Sequence, residues 1–179
     1  MNQLKRRLAG IVLVRAIAMA AAATFVVTVV AATPAEASRE SDRQEQYRYA
    51  NETMALPWEQ YLARATDFRS QGCWNWNEPA ACNKPLPYNW FTWTTDGCSW
   101  TPADLKRRFY GPCEQHDFGY RNFGKNLELE RTENRRYEID VRFHQEMYRV
   151  CAPLRSARGC KIEATAMYKI VRRFNDWQD

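Results

Sequence analysis

Tyr88–Asn122 reads YNWFTWTTDGCSWTPADLKRRFYGPCEQHDFGYRN. It holds an Asp-Gly-Cys loop at Asp96, Gly97 and Cys98 and, after a helix-start signal, Cys-x-x-His-Asp at Cys113, His116 and Asp117. The chain has two histidines, and this one sits beside a carboxylate. A Cys98–Cys113 disulfide would bring a second carboxylate, Asp96, to the same neighbourhood, closing a loop worth about 3 kcal/mol in chain entropy. An acidic loop, a cystine staple and a helical His-Asp pair are parts that a metal-assisted hydrolase needs.

Thr101-Pro102-Ala103-Asp104 predicts a helix start, with an N-cap hydroxyl, a proline in the first turn and an acid behind it. Gly111-Pro112 stops or restarts that helix, and a second helical run is predicted from Pro112 to Phe123, ended by Gly124. At 100° per residue, Cys113, His116, Asp117, Tyr120 and Phe123 fall within about 120° of one another. Thr132–Cys151 predicts the other long helix. Glu138, Arg142, Gln145, Glu146 and Arg149 share its polar side, while Ile139, Phe143 and Met147 share the apolar one. Asp140 stands in the middle of the apolar half, with His144 one turn on. A carboxylate on a buried face is costly unless paired. It either makes a structural hydrogen bond or orients a histidine on a facing helix.

Pro57 opens a further helix over about Trp58–Phe68, and a last one is predicted from about Cys160 to Phe174. No repeat or strand alternation interrupts them. The expected fold class is all-α, a small disulfide-stapled helical bundle.

The 179-residue chain carries a net charge of +5, but its N-terminus accounts for most of that. Lys5, Arg6 and Arg7 precede apolar sequence, Ala16–Ala32 runs without a charge, and Ala35-Glu36-Ala37 has the small-x-small form of a signal-peptidase site. A membrane anchor is the rival reading, because the uncharged run reaches the lower length limit for spanning a bilayer. Cleavage near Ala37 removes four basic residues and one acid, so the net charge falls from +5 to +2. That is too mild to argue for nucleic acid. Residues 1–37 therefore read as a signal peptide and the product as secreted. Residues 38–87 read as an N-terminal leader and helix followed by a Trp-rich disulfide loop, the leader frayed over 38–48. Residues 88–179 read as the catalytic domain.

All six cysteines lie beyond Ala37, and an even count in an exported chain reads as disulfides. Sequence neighbours give the simplest set, Cys73–Cys82, Cys98–Cys113 and Cys151–Cys160. Zinc is the competing use, and no Cys-x-x-Cys supports it. Trp74, Trp76, Trp90 and Trp93 either fill the core or form an aromatic rim for a lipid surface.

Asp96, Asp117 and the carbonyl of Gly97 are hard oxygen ligands suited to calcium, with weak affinity expected, on the order of 10⁻⁴ to 10⁻³ M, as in extracellular modules. His116 is placed to act as general base on a water, with Asp140 holding its tautomer. His144 reads chiefly as a packing or hydrogen-bonding residue. The alternatives are a zinc hydrolase built from His116, Asp117, Asp140 and His144, and a catalytically idle lipid-binding or toxin-like module on the same scaffold.

Three blocks resemble the secreted phospholipases A2 of bacteria and fungi. They are Asn89-Trp90 with Thr95-Asp96-Gly97-Cys98, then Cys113-x-x-His116-Asp117-Phe118-Gly119-Tyr120-Arg121-Asn122, then Ile139-Asp140-x-x-Phe143-x-x-x-Met147. The likeness runs from about Tyr88 to Cys160. It implies His116 as catalytic base, Asp140 as its dyad partner, and Asp96, Gly97 and Asp117 as calcium ligands. It also implies sn-2 ester hydrolysis of glycerophospholipids and a bundle with two long antiparallel helices carrying the active site. Cys98–Cys113 and Cys151–Cys160 match the family's disulfides. Cys73–Cys82 and the Trp-rich segment are additions, and the Phe123–Thr132 linker is slightly longer. The expected partner is a phospholipid membrane or micelle surface, and the expected state is a monomer.

Overall fold

The computed structural model describes residues 33–99, 101–174 and 177. The hydrophobic part of the expected signal peptide lies outside them. Six α-helices follow in order: α1 (Pro34–Ala55), α2 (Trp58–Ser70), α3 (Ala103–Arg108), α4 (Tyr110–Gly119), α5 (Glu133–Cys151) and α6 (Ala157–Phe174). A π-helical segment, Tyr120–Lys125, continues α4, and no strand occurs among the described residues. The fold is all-α, stapled by Cys73–Cys82, Cys98–Cys113 and Cys151–Cys160.

Local chemistry sets most boundaries. Thr132 is the N-cap of α5, its hydroxyl accepting from the Arg135 N–H at 3.1 Å. Helix α3 starts at Ala103, one residue beyond the predicted hydroxyl cap. Pro102 is its N-cap, without a side-chain cap bond. Helix α4 begins at Tyr110, ahead of the Gly111-Pro112 pair read as its boundary. Pro112 is tolerated there because first-turn N–H groups have no intrahelical partner. Gly111 is a packing requirement, since a Cβ there would stand 2.2 Å from Cε3 of Trp58.

Helices α4 and α5 are antiparallel. Phe123 stacks under Arg135, Gly119 abuts Ile139, and His116 meets Asp140 and Phe143, so the contacts on one helix rise as those on the other fall. Two apolar clusters flank this seam. One joins Phe109, Cys113, Phe143, Met147, Cys151, Cys160, Ala164 and Met167. The other includes Ala50, Met54, Tyr61, Phe68, Phe91, Trp93 and Phe118.

Residues 38–48, read as a frayed leader, are instead part of a continuous helix. A Thr33/Glu36 capping box opens α1. Arg43 donates to the carbonyls of Leu127 and Glu128, at 3.2 and 2.6 Å, and Tyr47 donates to Glu130 at 2.6 Å. Ala37 therefore lies in the first helical turn. At the other end, the last carbonyls of α1 lack intrahelical partners and are met from across the core. The Gln115 amide donates to Thr53, Met54 and Leu56, and Arg142 donates to Ala55 and Leu56. Glu146, which the helical pattern assigns to the polar side of α5, is buried. Its carboxylate accepts the Trp58 N–H at 3.0 Å and pairs with Arg142 at 2.9 Å.

The tryptophans divide. Trp93 is fully buried between Tyr61, Phe68 and Phe118, whereas Trp74 and Trp76 are exposed.

Candidate active site

Between α4, α5, α6 and the 96–105 loop lies a cleft of about 820 Å³. His116, Asp117, Asp96 and Tyr120 line it together with the apolar side chains of Phe143 and Met167. His116 and Asp117 are both nearly buried, and Asp140 behind them is fully buried.

His116 Nε2 stands 2.7 Å from Asp140 Oδ1. A carboxylate acceptor there assigns the ring proton to Nε2 and leaves the lone pair on Nδ1. The Tyr120 hydroxyl donates to the same oxygen at 2.9 Å, and Arg172 Nη1 donates to Oδ2 at 2.9 Å. Burial alone would raise the Asp140 pKa, but the hydrogen bonds from His116, Arg172 and Tyr120 outweigh it and hold the carboxyl below its usual value. Tyr120 is pushed well up by burial and by the Asp140 charge, so its hydroxyl stays a donor. The second hand of Arg172 rests on Glu133 at 2.5 Å, and its guanidinium lies 5.4 Å from the centre of the Tyr137 ring. Arg136 and Arg172 hold the Glu133 carboxyl down at about 2.

On the other side of His116, Asp117 ties the loop to α4. Its Oδ2 accepts from the Thr95 hydroxyl at 2.5 Å, the Asp96 N–H at 3.0 Å and the Gly97 N–H at 3.1 Å. Presenting successive N–H groups to one oxygen needs a tight turn, and Gly97 supplies it with φ +62°. Burial pushes the Asp117 pKa up, the Thr95 hydrogen bond opposes that, and the Asp96 charge adds to the rise. Two carboxylates close enough to repel are a donor set that a cation relieves. Positive charge already gathers here. The Lys106 ammonium donates to the Asp96 carbonyl at 2.7 Å, and Arg121 Nη2 lies 3.8 Å from Asp96 Oδ2. Asp96, Asp117 and the Gly97 carbonyl offer hard oxygen only, which fits calcium in donor chemistry.

The alternative zinc set is not assembled. His144 turns to α6, with Nε2 3.2 Å from Thr165 Oγ1 and its ring stacked 4.7 Å from Tyr168. Among the described residues no group of three His, Cys, Asp or Glu side chains gathers to hold a metal.

Sequence reasoning assigned no role to Arg172, Tyr120, Arg121 or Asn122. Arg172 lies 32 residues from Asp140, with no motif to mark it. Tyr120, one turn beyond His116 on the same face, carried a usable signal. Asn122 is structural: its side chain accepts the Thr92 N–H and donates to the Thr92 and Phe118 carbonyls, all at 2.9 Å, pinning the segment that leads into the loop.

The family model described as prokaryotic phospholipase A2 matches residues 68–175. A protein named secretory phospholipase A2 from Beauveria bassiana is 35% identical over 83 residues, covering 46% of this chain and 43% of its own. A protein of the same name from Arthroderma benhamiae is 36% identical over 90 residues, covering 47% of this chain and 60% of its own. The chain thus spans about half the length of these curated relatives.

Proposed function

The chain belongs to the prokaryotic phospholipase A2 family, and from that premise we propose that it is an exported, calcium-dependent phospholipase A2. It would hydrolyse the sn-2 ester of glycerophospholipids at a membrane or micelle surface, releasing a fatty acid and a lysophospholipid. The observation that carries this reading is the 2.7 Å His116–Asp140 contact at a cleft whose loop is tied to Asp117.

In the reaction, His116 Nδ1 takes a proton from a water in the cleft as the water oxygen attacks the ester carbonyl. Asp140 stabilises the imidazolium that forms, while Tyr120 and Arg172 keep its carboxylate fixed and ionised. The same proton then passes to the departing lysophospholipid oxygen as the ester C–O bond breaks. Asp96, Asp117 and the Gly97 carbonyl would hold calcium. When bound, that ion supplies the positive charge that polarises the ester carbonyl and stabilises the developing oxyanion. The apolar walls, Phe143 and Met167 among them, would receive acyl chain and shed water.

The test is fatty-acid release from phospholipid vesicles by the disulfide-bonded chain from Ser38, with calcium, with chelator and with zinc. Release in calcium alone, chiefly from sn-2, is expected. Release in chelator would refute the metal assignment. Silence with calcium would refute the enzyme reading and leave a lipid-binding module. Calorimetric titration adds a check independent of turnover: Asp117→Asn should weaken calcium binding, and His116→Asn should not.

A further inference from the structure

The side of α6 that turns away from the core carries a pattern the catalytic reading does not use. Cys160, Ala164 and Met167 form its buried stripe. On the outer side, Ile162, Ala166, Ile170 and Phe174 follow at four-residue spacing and make one ridge. Lys161, Thr165, Lys169 and Arg173 make the ridge beside it. Ile162, Ile170 and Phe174 are 65%, 55% and 71% exposed. Three large apolar side chains left in water along one ridge are a surface that something covers.

This ridge begins at the cleft. Ala166, Ile170 and Phe174 line the cleft with His116 and Asp117. Ile162 and Ala166 share an adjoining groove with Arg158, Lys161 and Lys169. Glu163 is the one acid on α6, and it is paired with Arg108. Arg158, Lys161 and Lys169 make no ion pair among the described residues. Arg173 lies over the Phe174 ring at 5.5 Å, so the two ridges touch.

The charge decides what fits. A second copy docked on this face through a two-fold would set the same cations against one another, which opposes association. A lipid–water boundary with anionic headgroups satisfies both ridges: the apolar side chains enter the acyl boundary while the cations stay at headgroup level. We propose that the outer face of α6 docks this protein on net-negative lipid surfaces, with the cleft mouth turned toward the lipid. This rests on the lipid-hydrolase reading of the cleft and names the surface on which that reaction runs. Neither Trp74 nor Trp76 lines the cleft, so the lipid-facing role expected of the tryptophans passes to α6.

Sedimentation with vesicles in chelator measures docking without turnover. Binding to phosphatidylcholine vesicles containing phosphatidylglycerol should exceed binding to phosphatidylcholine alone, and about 0.5 M salt should weaken it. Lys161→Gln combined with Lys169→Gln should reduce affinity for the anionic vesicles on the order of tenfold or more, and Ile162→Ser should reduce it as well. None of these residues lines the cleft, so each variant should hydrolyse a short-chain phosphatidylcholine below its micelle concentration at the wild-type rate. Equal binding to both vesicle types, or unchanged binding by the double variant, overturns the proposal. So does a lipid-free dimer that Ile162→Ser dissolves, which would give the face to a second copy. Docking as expected with no hydrolysis of the monomeric substrate would sink the catalytic reading and uphold the docking surface.

Discussion

Four consecutive residues of α4 are buried and polar, and they divide into two pairs with opposite surroundings. Glu114 and Gln115 face α1 and α2, on the closed side of the helix. Glu114 lies 2.8 Å from Arg69, and Gln115 donates to the terminal carbonyls of α1. His116 and Asp117 face the cleft, where one is paired with Asp140 and the other with the loop amides. Burial is similar for all four, from 0% to 9% exposure. Burial of a polar group therefore does not mark chemistry in this protein. The mark is a polar group that is satisfied on one side and opens on a cleft on the other.

The contrast makes its largest prediction in the cleft. His116→Asn should lower kcat by about 10²- to 10⁴-fold, the range of a lost general base, with the urea midpoint near wild type. A large loss of stability with kcat retained would place His116 with the structural pair. The mirror experiment is Arg69→Met, which strands the buried Glu114 carboxylate. It should cost about 3–5 kcal/mol of unfolding free energy while the folded fraction keeps its kcat.

Arg172→Gln tests the join between the two kinds of residue, because it removes the donor to Asp140 Oδ2 without touching the cleft-facing nitrogen of His116. A charge-assisted hydrogen bond of about 1.5–3 kcal/mol is lost, and kcat should fall on the order of tenfold with KM little changed. Restoration by Arg172→Lys would argue for charge placement, and a KM effect alone would argue against a role in the dyad.

The smallest effect is on stability against pH. Glu133 is held down at about 2 by Arg136 and Arg172, and Asp140 is held below its usual value despite its burial. Groups whose folded pKa is depressed stabilise the fold above the unfolded pKa and lose that contribution as pH falls toward the folded value. Burial also lowers the pKa of His144 below 6.5. The unfolded imidazole therefore takes up its proton first on acidification, and stability declines from about pH 6.5. Urea midpoints should be flat above pH 7, fall gently below 6.5 and fall more steeply below about 4.5. His144→Gln should remove only the first decline.

Much of this was legible in sequence because it is local. Thr132 sets the start of α5, and each cystine joins cysteines that are neighbours in the chain. Asp140 betrayed itself as a carboxylate on an apolar helical face, since periodicity maps directly onto a helix surface. The misreadings share a cause. Glu146 looked like a solvent-facing acid and residues 38–48 like a frayed leader, because their partners, Trp58 for the one and the Leu127–Glu130 segment for the other, lie far away in the chain. The tryptophans divided between core and surface for the same reason.

Sequence alone determined the helical class, the disulfide partners and the pairing of a histidine with carboxylates at helical spacing, because those depend on contacts within a turn or across a short loop. The tertiary structure alone decided which buried polar groups face a cleft, that Arg172 reaches Asp140 from the last helix, and that α6 leaves an apolar ridge and a cationic ridge uncovered. Those outcomes depend on how distant helices pack, and a helical period specifies which residues share a face but not what that face meets.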